Sequence, residues 1–271
     1  MINSSLFQNI YNSQFFYFLM KAVILCAGKG ERLRPLTNKV PKPMIKVNNK
    51  PILEYLILLC RKYNIKEIFI STSYLSQVIK DYFGDGSKWG VKIIYSYEDE
   101  MNLPGTSGAL NKFKQFLNET FFVIYGDNIT NLNLLKMFEF HHSKKAIGTL
   151  FVYRELIDDK TSTPAIVAVK SDGEIFDLIE RPKVSDKERL ERITPPQKYR
   201  NSGIYVLEPE ILNFIPQKEI SDFMLDIFPK VIEHKKLFAF RDNPYLRDVG
   251  VFSRLNKARE EIESGEVSLD L

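Results

Sequence analysis

The stretch from 21 to 45, KAVILCAGKGERLRPLTNKVPKPMI, joins a short apolar run to a loop of small and basic residues. The apolar run at 21–25 is typical of a strand buried in a parallel sheet. Gly28 and Gly30 follow it, and glycine lets a backbone approach a ligand closely. Arg32 comes next, and Lys42 lies between two prolines that restrict its backbone. Loop amides beside cations that are held in place predict a site for a triphosphate.

The composition is that of a globular protein rather than a nucleic-acid-binding or disulfide-rich one. Of 271 residues, 44% are hydrophobic and 27% charged, which allows one large core or a core with a smaller lobe. The net charge of +4 comes from 38 basic and 34 acidic residues, and this balance argues against a nucleic-acid partner. Cys26 and Cys60 form no Cys-x-x-Cys motif. We therefore expect neither disulfides nor zinc, and both thiols suit packing in a reducing cytoplasm.

Residues 1–19 differ from the rest of the chain because they contain no charged side chain and are rich in Asn, Ser and Gln. They lack the basic start and unbroken apolar run of a signal peptide, and they are too short and polar to span a bilayer. Met20 directly precedes the first predicted strand. We interpret residues 1–19 as a poorly ordered extension or the product of an incorrectly assigned start, with a membrane-surface anchor as the alternative.

From residue 21 onward, apolar patterns predict alternating strands and helices, which is typical of a parallel sheet with crossover helices. The first half, residues 20–130, is predicted to contain strands at 21–25, 67–70, 91–95 and 121–125 and helices at 52–63, 75–83 and 107–116. The second half, residues 131–265, is richer in strands, at 147–153, 165–169, 174–179 and 203–207, and ends in a helix at 252–262. The charged segment 183–197 is predicted to be a mobile surface loop. No linker separates the halves, so we predict one domain at 20–265 and a tail at 266–271.

Two acidic residues stand out because of what precedes them. The predicted strand at 121–125 ends in Gly126 and Asp127, and Asp248 follows 121 residues after Asp127, in Tyr-Leu-Arg-Asp-Val-Gly. The carboxyl ends of parallel strands form the ligand crevice of such folds, and a carboxylate oxygen there suits Mg²⁺. The alternative for Asp127 is that it only turns the chain and caps the next helix.

In content and order, these motifs resemble those of the sugar-1-phosphate nucleotidylyltransferases. Residues 28–43 contain Gly-x-Gly-x-Arg-Leu-x-Pro-Leu-Thr followed by Pro-Lys-Pro, as in that family, with Glu31 where threonine is common. The segments 105–110 (GTSGAL), 180–182 (ERP), 201–205 (NSGIY) and 245–250 (YLRDVG) are similar to further family elements. The resemblance implies an α/β, Rossmann-like three-layer nucleotidyltransferase fold (glycosyltransferase-A-like), with a mixed, mostly parallel central sheet and a small β-rich sugar-binding lobe. Residues 20–130 would then form the nucleotide-binding half and 131–265 the sugar-binding half.

The resemblance also implies roles for individual residues. Asp127 and Asp248 would hold Mg²⁺, Arg32 would bind the β- and γ-phosphates, and Lys42 would steady the α-phosphate and the incoming phosphate. The residues expected to contact the nucleotide are Leu25, Ala27, Gly28, Gly30, Gly105, Thr106 and Gly108. Those expected to contact the sugar phosphate are Gly126, Glu180, Arg181 and Asn201. Two departures remain: residues 163–165 (TPA) replace the family's usual Tyr-Gly, and the spacing from Glu98 to Gly105 is longer than usual.

The implied reaction joins a nucleoside triphosphate to a sugar 1-phosphate and releases pyrophosphate. The Gly-Thr-Ser-Gly form and the Pro-Lys-Pro-Met run most resemble the mannose-1-phosphate guanylyltransferase branch, which would make GDP-mannose from GTP. The alternatives are a thymidylyl-, uridylyl- or cytidylyltransferase acting on glucose 1-phosphate or a related acceptor, and a regulatory paralogue that binds nucleotide sugars without catalysis. A dinucleotide-dependent oxidoreductase is disfavoured because Gly-x-Gly-x-x-Gly is absent. We expect a cytoplasmic enzyme without a membrane span, and a homo-oligomer is compatible with the sequence.

Overall fold

The computed structural model describes residues 20–154, 165–217 and 219–271. The interpretation of residues 1–19 and the departure from the family at 163–164 lie outside the described residues. None of the helices in the described part of the chain has the length and apolar character that crossing a bilayer requires.

The described residues form strands and helices in alternation over the first half of the chain, as the apolar patterns predict. The strands are β1 (Lys21–Leu25), β2 (Lys46–Val47), β3 (Lys50–Pro51), β4 (Glu67–Thr72), β5 (Lys92–Tyr97), β6 (Phe121–Tyr125), β7 (Asn128–Thr130), β8 (Gly148–Tyr153), β9 (Ile166–Val169), β10 (Ile175–Ile179), β11 (Lys198–Leu207), β12 (Leu237–Arg241) and β13 (Leu246–Asp248). The helices are α1 (Ile52–Lys62), α2 (Ser76–Phe83), α3 (Gly105–Gly108), α4 (Leu134–Lys144), α5 (Lys187–Arg192), α6 (Phe228–Glu233) and α7 (Phe252–Glu263).

One sheet of nine strands runs through both halves of the chain. Its order is β10-β9-β11-β6-β1-β4-β5, and β8 pairs with β11 and with β12. Strands β6, β1, β4 and β5 are parallel neighbours, whereas β11 joins β6 in the antiparallel sense. The predicted mixed sheet and α/β class are therefore confirmed. Because the parallel strands end at one edge, the loops that follow them meet at a single crevice.

Side chains of β1 alternate between two hydrophobic layers, as strand geometry requires. Ala22 and Ile24 pack in a cluster with the apolar face of α1, which includes Leu56 and Cys60. Val23 packs on the opposite side, in a cluster with apolar residues of 110–117 and of β8, β11 and α6. Helices therefore cover both faces of the sheet, and this arrangement explains why β1 contains no polar side chain after Lys21.

Three predicted elements differ from the structure. The segment 183–197, predicted to be a surface loop, contains α5 between two short 3₁₀ turns. The guanidinium of Arg189 stabilises that helix, since it donates to Asp177 Oδ1 at 2.5 Å and to the carbonyl oxygen of Leu178 at 3.1 Å. The predicted helix at 107–116 starts at Gly105 and becomes 3₁₀ from Ala109. Strand β11 begins five residues before the predicted start at 203, because residues 198–200 pair with β9.

Candidate active site

A cavity of about 570 Å³ lies at the carboxyl ends of β1, β5 and β6. This volume falls within the range of small-molecule sites. The cavity is lined by the loop after β1, by Gly126 and Asp127, and by residues 103–106. The nucleotide-binding residues predicted in the glycine loop, namely Leu25, Ala27, Gly28 and Gly30, all line this cavity. The same is true of Gly105 and Thr106, whereas Gly108 does not line the cavity.

The loop after β1 is held by contacts on both sides of Gly30. The amide of Cys26 continues the sheet by donating to the carbonyl oxygen of Ser71 at 2.9 Å. Gly30 has a φ of +64°, which favours glycine, and a Cβ there would lie 3.0 Å from both Lys42 Cβ and Thr37 Cγ2. The loop therefore packs directly against the turn that contains Lys42.

Asp127 is positioned by the junction between β6 and β7. The amide of Gly126 donates to the carbonyl oxygen of Leu25 at 2.9 Å, and a Cβ on Gly126 would lie 2.5 Å from Cys26 Sγ. Only glycine fits there, so β6 stays close to β1 where Asp127 enters the cavity. The alternative that Asp127 caps a helix is wrong, because β7 follows it and the side chain of Asn133 caps α4.

Asp248 reaches the same place through a two-stranded sheet. Strand β13 pairs antiparallel with β7, with Asp248 opposite Asn128, and the amide of Val249 donates to the carbonyl oxygen of Asp127 at 3.0 Å. Helix α7 fixes β13 from behind: Arg247 donates to both carboxylate oxygens of Glu261, at 2.6 and 3.0 Å. Two acidic residues that are 121 residues apart in the sequence are therefore held next to each other, and Asp127 lines the cavity.

Lys42 lies between the two carboxylates. Its ammonium forms an ion pair with Asp127 Oδ2 and lies 4.0 Å from Asp248 Oδ1. Arg254 of α7 donates to Asp248 Oδ2 at 2.8 Å, whereas Asp248 Oδ1 is buried without a hydrogen-bond partner. Burial raises the pKa of the Asp248 carboxyl, and the neighbouring charge of Asp127 raises it further. One oxygen of Asp248 is thus tied to α7, while the other is buried beside Gly250, which lines the cavity.

Gly250 leaves the space on which these charged groups converge. A Cβ at this position would lie 2.8 Å from Asp248 Oδ1, 3.1 Å from Arg32 Nη2 and 3.4 Å from Lys42 Nζ. Arg32 belongs to the 3₁₀ turn Glu31–Leu33 and is otherwise exposed. Three of the four residues predicted to be catalytic, Arg32, Lys42 and Asp248, therefore meet around this glycine, and the fourth, Asp127, joins them through its ion pair with Lys42.

The donor set fits a hard divalent cation. Two carboxylates, one of which keeps a buried oxygen unpaired, match the way Mg²⁺ is held by one or two carboxylates together with substrate phosphates. In the described ranges, no group of three or more His, Cys, Asp or Glu side chains could hold a metal ion by itself. A cation held by Asp127 and Asp248 would therefore need further oxygen atoms from the substrate or from water, and the Lys42 ammonium would have to leave its place between the two carboxylates.

The predicted sugar-contacting residues lie farther from this centre, apart from Gly126. Glu180 follows β10 and is partly buried. Its burial raises the pKa of the carboxyl by more than the charge of Arg181 lowers it, so the net shift is upward. Arg181 itself has a φ of +47° and a side chain that is 84% exposed, 3.9 Å from Glu180. Asn201 donates to the hydroxyl of Tyr205 at 2.8 Å. Glu180, Arg181 and Asn201 do not line the 570 Å³ cavity, so the structure does not bring them to the charged cluster.

Two acidic residues outside the glycine loop, Asp222 and Glu98, line the cavity although they were not predicted as site residues. Asp222 accepts a hydrogen bond from the hydroxyl of Thr106 at 2.6 Å, and the preceding Ser221 packs against Gly105, where a Cβ would collide with its carbonyl oxygen. Glu98 lies at the end of β5 and lines the cavity beside Leu103. Asp222 meets Thr106 across 116 residues of chain, and no local pattern around it predicts that contact.

A family model described as nucleotidyl transferase matches residues 21–265. This chain belongs to that family. The predicted family is confirmed, and its members generally use a divalent metal ion. The match includes both carboxylates and the glycine loop, so the geometry described above lies entirely within the family's domain.

Curated relatives are named as sugar-1-phosphate nucleotidyltransferases, which supports an enzyme, but they differ in base and sugar. The chain is 35% identical over 224 residues to a UTP–glucose-1-phosphate uridylyltransferase of Synechocystis sp., covering 79% of this chain and 55% of that protein. It is 31% identical over 245 residues to the D-glycero-alpha-D-manno-heptose 1-phosphate guanylyltransferase of Aneurinibacillus thermoaerophilus, covering 90% and 99%. It is 32% identical over 232 residues to a mannose-1-phosphate guanylyltransferase of Mycobacterium tuberculosis, covering 84% and 60%. The chain thus spans little more than half of two of these relatives.

A solved structure supports the fold independently. A putative glucose-1-phosphate thymidylyltransferase from Bacillus anthracis superimposes with a TM-score of 0.75 at 24% identity, covering 89% of this chain and 94% of that one. The Rossmann-like nucleotidyltransferase fold is therefore confirmed.

Proposed function

We propose that this chain transfers a nucleoside monophosphate from a nucleoside triphosphate to a sugar 1-phosphate, and that GTP and mannose 1-phosphate are the favoured pair. The observation that carries the proposal is that Arg32, Lys42 and Asp248 converge on Gly250, and that Lys42 also pairs with Asp127, beside a nucleotide-sized cavity. Two of the three relatives described above are guanylyltransferases for sugars of the manno series, which supports this pair.

The proposed reaction needs positioning more than covalent chemistry. An oxygen of the sugar phosphate bonds to the α-phosphorus, the bond from that phosphorus to the α–β bridging oxygen breaks, and pyrophosphate leaves with that electron pair. Two anions must meet, so the guanidinium of Arg32 and the ammonium of Lys42 offset their charge. The sugar phosphate is already an anionic nucleophile near neutral pH, and no general base is required.

Asp127 and Asp248 are the proposed holders of Mg²⁺. When bound there, the ion would neutralise charge on the phosphate oxygens as the transition state forms. Arg254 keeps one oxygen of Asp248 engaged, and the glycine at 250 keeps the space open. The chain's own contribution is therefore to hold two carboxylates and two cations at fixed positions beside the phosphates.

We propose that Gly126, Glu180, Arg181 and Asn201 bind the sugar 1-phosphate, with Glu180 accepting hydroxyl hydrogen bonds. The exposure of Arg181 and its φ of +47° mean that its guanidinium would have to turn toward the ligand. The same proposal divides the chain into a nucleotide-binding half at 20–130 and a sugar-binding half at 131–265. It also places the protein in the cytoplasm, where nucleoside triphosphates are available. A homo-oligomer is compatible with it and is checked by light scattering.

A uridylyltransferase acting on glucose 1-phosphate is the second candidate, because the Synechocystis relative is 35% identical. A non-catalytic regulatory paralogue is disfavoured, since Arg32, Lys42, Asp127 and Asp248 are all present and adjacent.

The test is a pyrophosphate-release assay that pairs GTP, UTP, dTTP, CTP and ATP with the 1-phosphates of mannose, glucose and N-acetylglucosamine. We expect magnesium-dependent turnover, fastest with GTP and mannose 1-phosphate. Turnover with UTP and glucose 1-phosphate alone would favour the second candidate. If no combination of triphosphate and sugar phosphate releases pyrophosphate, although the protein still binds nucleotide, the protein is a non-catalytic regulatory paralogue.

A further inference from the structure

Building on the proposed function, we infer that Lys42 is the resting counter-ion of Asp127 and Asp248, and that a triphosphate opens this pair to a divalent cation by drawing the ammonium away. The metal ion and the triphosphate therefore bind cooperatively, and the chain by itself holds the metal ion weakly. Three observations support the inference: which oxygen atoms Lys42 engages, which oxygen it leaves without a partner, and which part of the lysine can move.

The ammonium of Lys42 engages the oxygen atoms that a divalent cation needs. It forms an ion pair with Asp127 Oδ2 and lies 4.0 Å from Asp248 Oδ1. Its side chain is only 11% exposed, so water screens this pairing little. A magnesium ion contacts its carboxylate oxygen atoms directly, at about 2.0–2.1 Å. Because the ammonium and a metal ion also repel each other, the two cannot hold these oxygen atoms at the same time.

The pairing with Lys42 leaves one oxygen of Asp248 unsatisfied. Arg254 donates to Oδ2 at 2.8 Å, whereas Oδ1 is buried without a hydrogen-bond partner. The distance of 4.0 Å from Lys42 Nζ to this oxygen is too long for a hydrogen bond. A buried acceptor without a partner costs stability. Lys42 therefore offsets the charge of the two carboxylates without satisfying both, and the arrangement favours exchange for a cation that can contact both.

The backbone of Lys42 is fixed, whereas the end of its side chain is free to turn. Prolines flank the residue on both sides, and the amide of Ile45 donates to its carbonyl oxygen at 3.1 Å. The base of the side chain packs on Gly30, where a Cβ would lie 3.0 Å from Lys42 Cβ. Beyond that point the lysine stem is flexible. The ammonium can therefore turn from Asp127 into the cavity, which Lys42 lines, without movement of the 3₁₀ turn.

A triphosphate supplies the anion that draws the ammonium away. The glycine loop that is proposed to hold the phosphates lines the same cavity as Lys42. Phosphates offer several charged acceptor oxygen atoms, whereas the ion pair offers one oxygen of Asp127. When Lys42 donates to the phosphates, the two carboxylates lose the cation between them and become available to a metal ion. The coupling is reciprocal, so a bound metal ion must strengthen triphosphate binding by the same factor. The competing explanation is that the ion pair is a permanent structural contact.

The experiment measures Mn²⁺ binding without nucleotide, by calorimetric titration, in the wild-type chain, Lys42→Met and the matched control Lys29→Met. Lys29 lines the same cavity, and in the part of the chain that the structure describes it forms no ion pair with Asp127 or Asp248. A metal ion that binds only when Lys42 has turned away loses affinity in proportion to the fraction of molecules in which it has done so. With the ion pair formed in about 90–99% of molecules, Lys42→Met should bind Mn²⁺ ~10- to 100-fold more tightly than wild type. Lys29→Met should stay within about threefold of wild type, because a charge without contact is screened.

The movement of the ammonium is measured in the wild-type chain by labelling lysine amines with acetic anhydride and reading the sites by mass spectrometry. Saturating Mg²⁺ should speed the modification of Lys42, because the ammonium is displaced from Asp127, and should leave Lys29 unchanged. In Asp127→Asn, Lys42 should react quickly with and without Mg²⁺. This measurement needs no substitution at Lys42, so it decides the question even where Lys42→Met does not fold.

Equal Mn²⁺ affinity in the wild type and Lys42→Met would overturn the inference while leaving the transferase function standing, since the carboxylates would still hold the metal ion. Labelling of Lys42 that does not respond to Mg²⁺ would overturn it in the same way and would make the ion pair a permanent contact. Absence of Mn²⁺ binding from every variant would refute both the inference and the proposed role of Asp127 and Asp248 as metal holders.

Discussion

Replacing Gly250 by alanine should disable the charged cluster without unfolding the chain. The backbone at this residue does not adopt the left-handed conformation that favours glycine, so alanine is compatible with it. The added methyl group would lie 2.8 Å from Asp248 Oδ1 and 3.1 Å from Arg32 Nη2, whereas ordinary van der Waals contacts begin at 3.4 Å. Both groups must therefore move apart, the carboxylate by roughly 0.6 Å and the guanidinium by roughly 0.3 Å.

The size of the kinetic effect follows from that displacement. A misplacement of about 1 Å costs on the order of 100-fold in rate when positioned groups act on a reacting phosphate. We expect kcat to fall about 30- to 100-fold, equivalent to roughly 2–3 kcal/mol of transition-state stabilisation. The free energy of unfolding should change by less than about 1 kcal/mol, because the clash involves side-chain ends that can shift.

The assay measures pyrophosphate release at increasing Mg²⁺, together with chemical denaturation of the same protein. The comparison variant is Gly28→Ala, since a Cβ on Gly28 meets no atom of the chain within 4 Å. It should raise KM for the triphosphate, because Gly28 lines the cavity, and leave the Mg²⁺ dependence unchanged. A Gly250→Ala enzyme with kcat within about threefold of wild type would refute the convergence of these groups on the substrate.

Three further substitutions test the parts that hold the cluster. Asp127→Asn should reduce kcat by at least ~1000-fold at an unchanged unfolding midpoint, and should abolish any Mg²⁺-dependent rise in thermal stability. Arg254→Met removes the bond to Asp248 Oδ2 and should raise the Mg²⁺ concentration for half activity about 10-fold, with partial recovery in Arg254→Lys. Burial by itself would raise the pKa of Glu261, but the hydrogen bonds from Arg247 and Tyr245, together with the charges of Arg247 and Lys257, lower it below its ordinary value. The stability it contributes is therefore present above the ordinary glutamate pKa and lost as pH falls through the lowered one, so denaturation at pH 7 and pH 3 should differ less in Glu261→Gln than in wild type.

Local patterns predicted the strands and helices of the first half of the fold, apart from the segment that is 3₁₀ from Ala109. The strand at 21–25 and the helix that starts at Ile52 end within a residue of their predicted bounds, because a buried strand and an amphipathic helix each leave a clear apolar period. The segment 183–197 was predicted incorrectly because it has no such apolar period. Its helix α5 contains no buried residue, and its stabilising partner, Asp177, lies outside the segment.

The site was predicted unevenly. The proximity of Asp127 and Asp248 was predicted from the resemblance to the family's motifs. Nothing in the neighbouring residues predicts that β7 and β13 pair. The motif match did not predict the position of the Arg181 side chain, because neighbouring residues do not determine where an exposed side chain points. Asp222 could not have been found, because it enters the cavity only through the packing of Ser221 on Gly105.

The charged cluster depends on small elements outside the nine-stranded sheet. The sheet itself fixes only Asp127, whereas Arg32 and Lys42 lie in 3₁₀ turns and Asp248 lies in the two-stranded sheet. Each of these is held by its neighbours: Gly30 packs on Lys42, and α7 holds β13 through Glu261. Substitutions in α7 should therefore change the chemistry although α7 does not line the cavity, because they move Asp248 and not the nucleotide site.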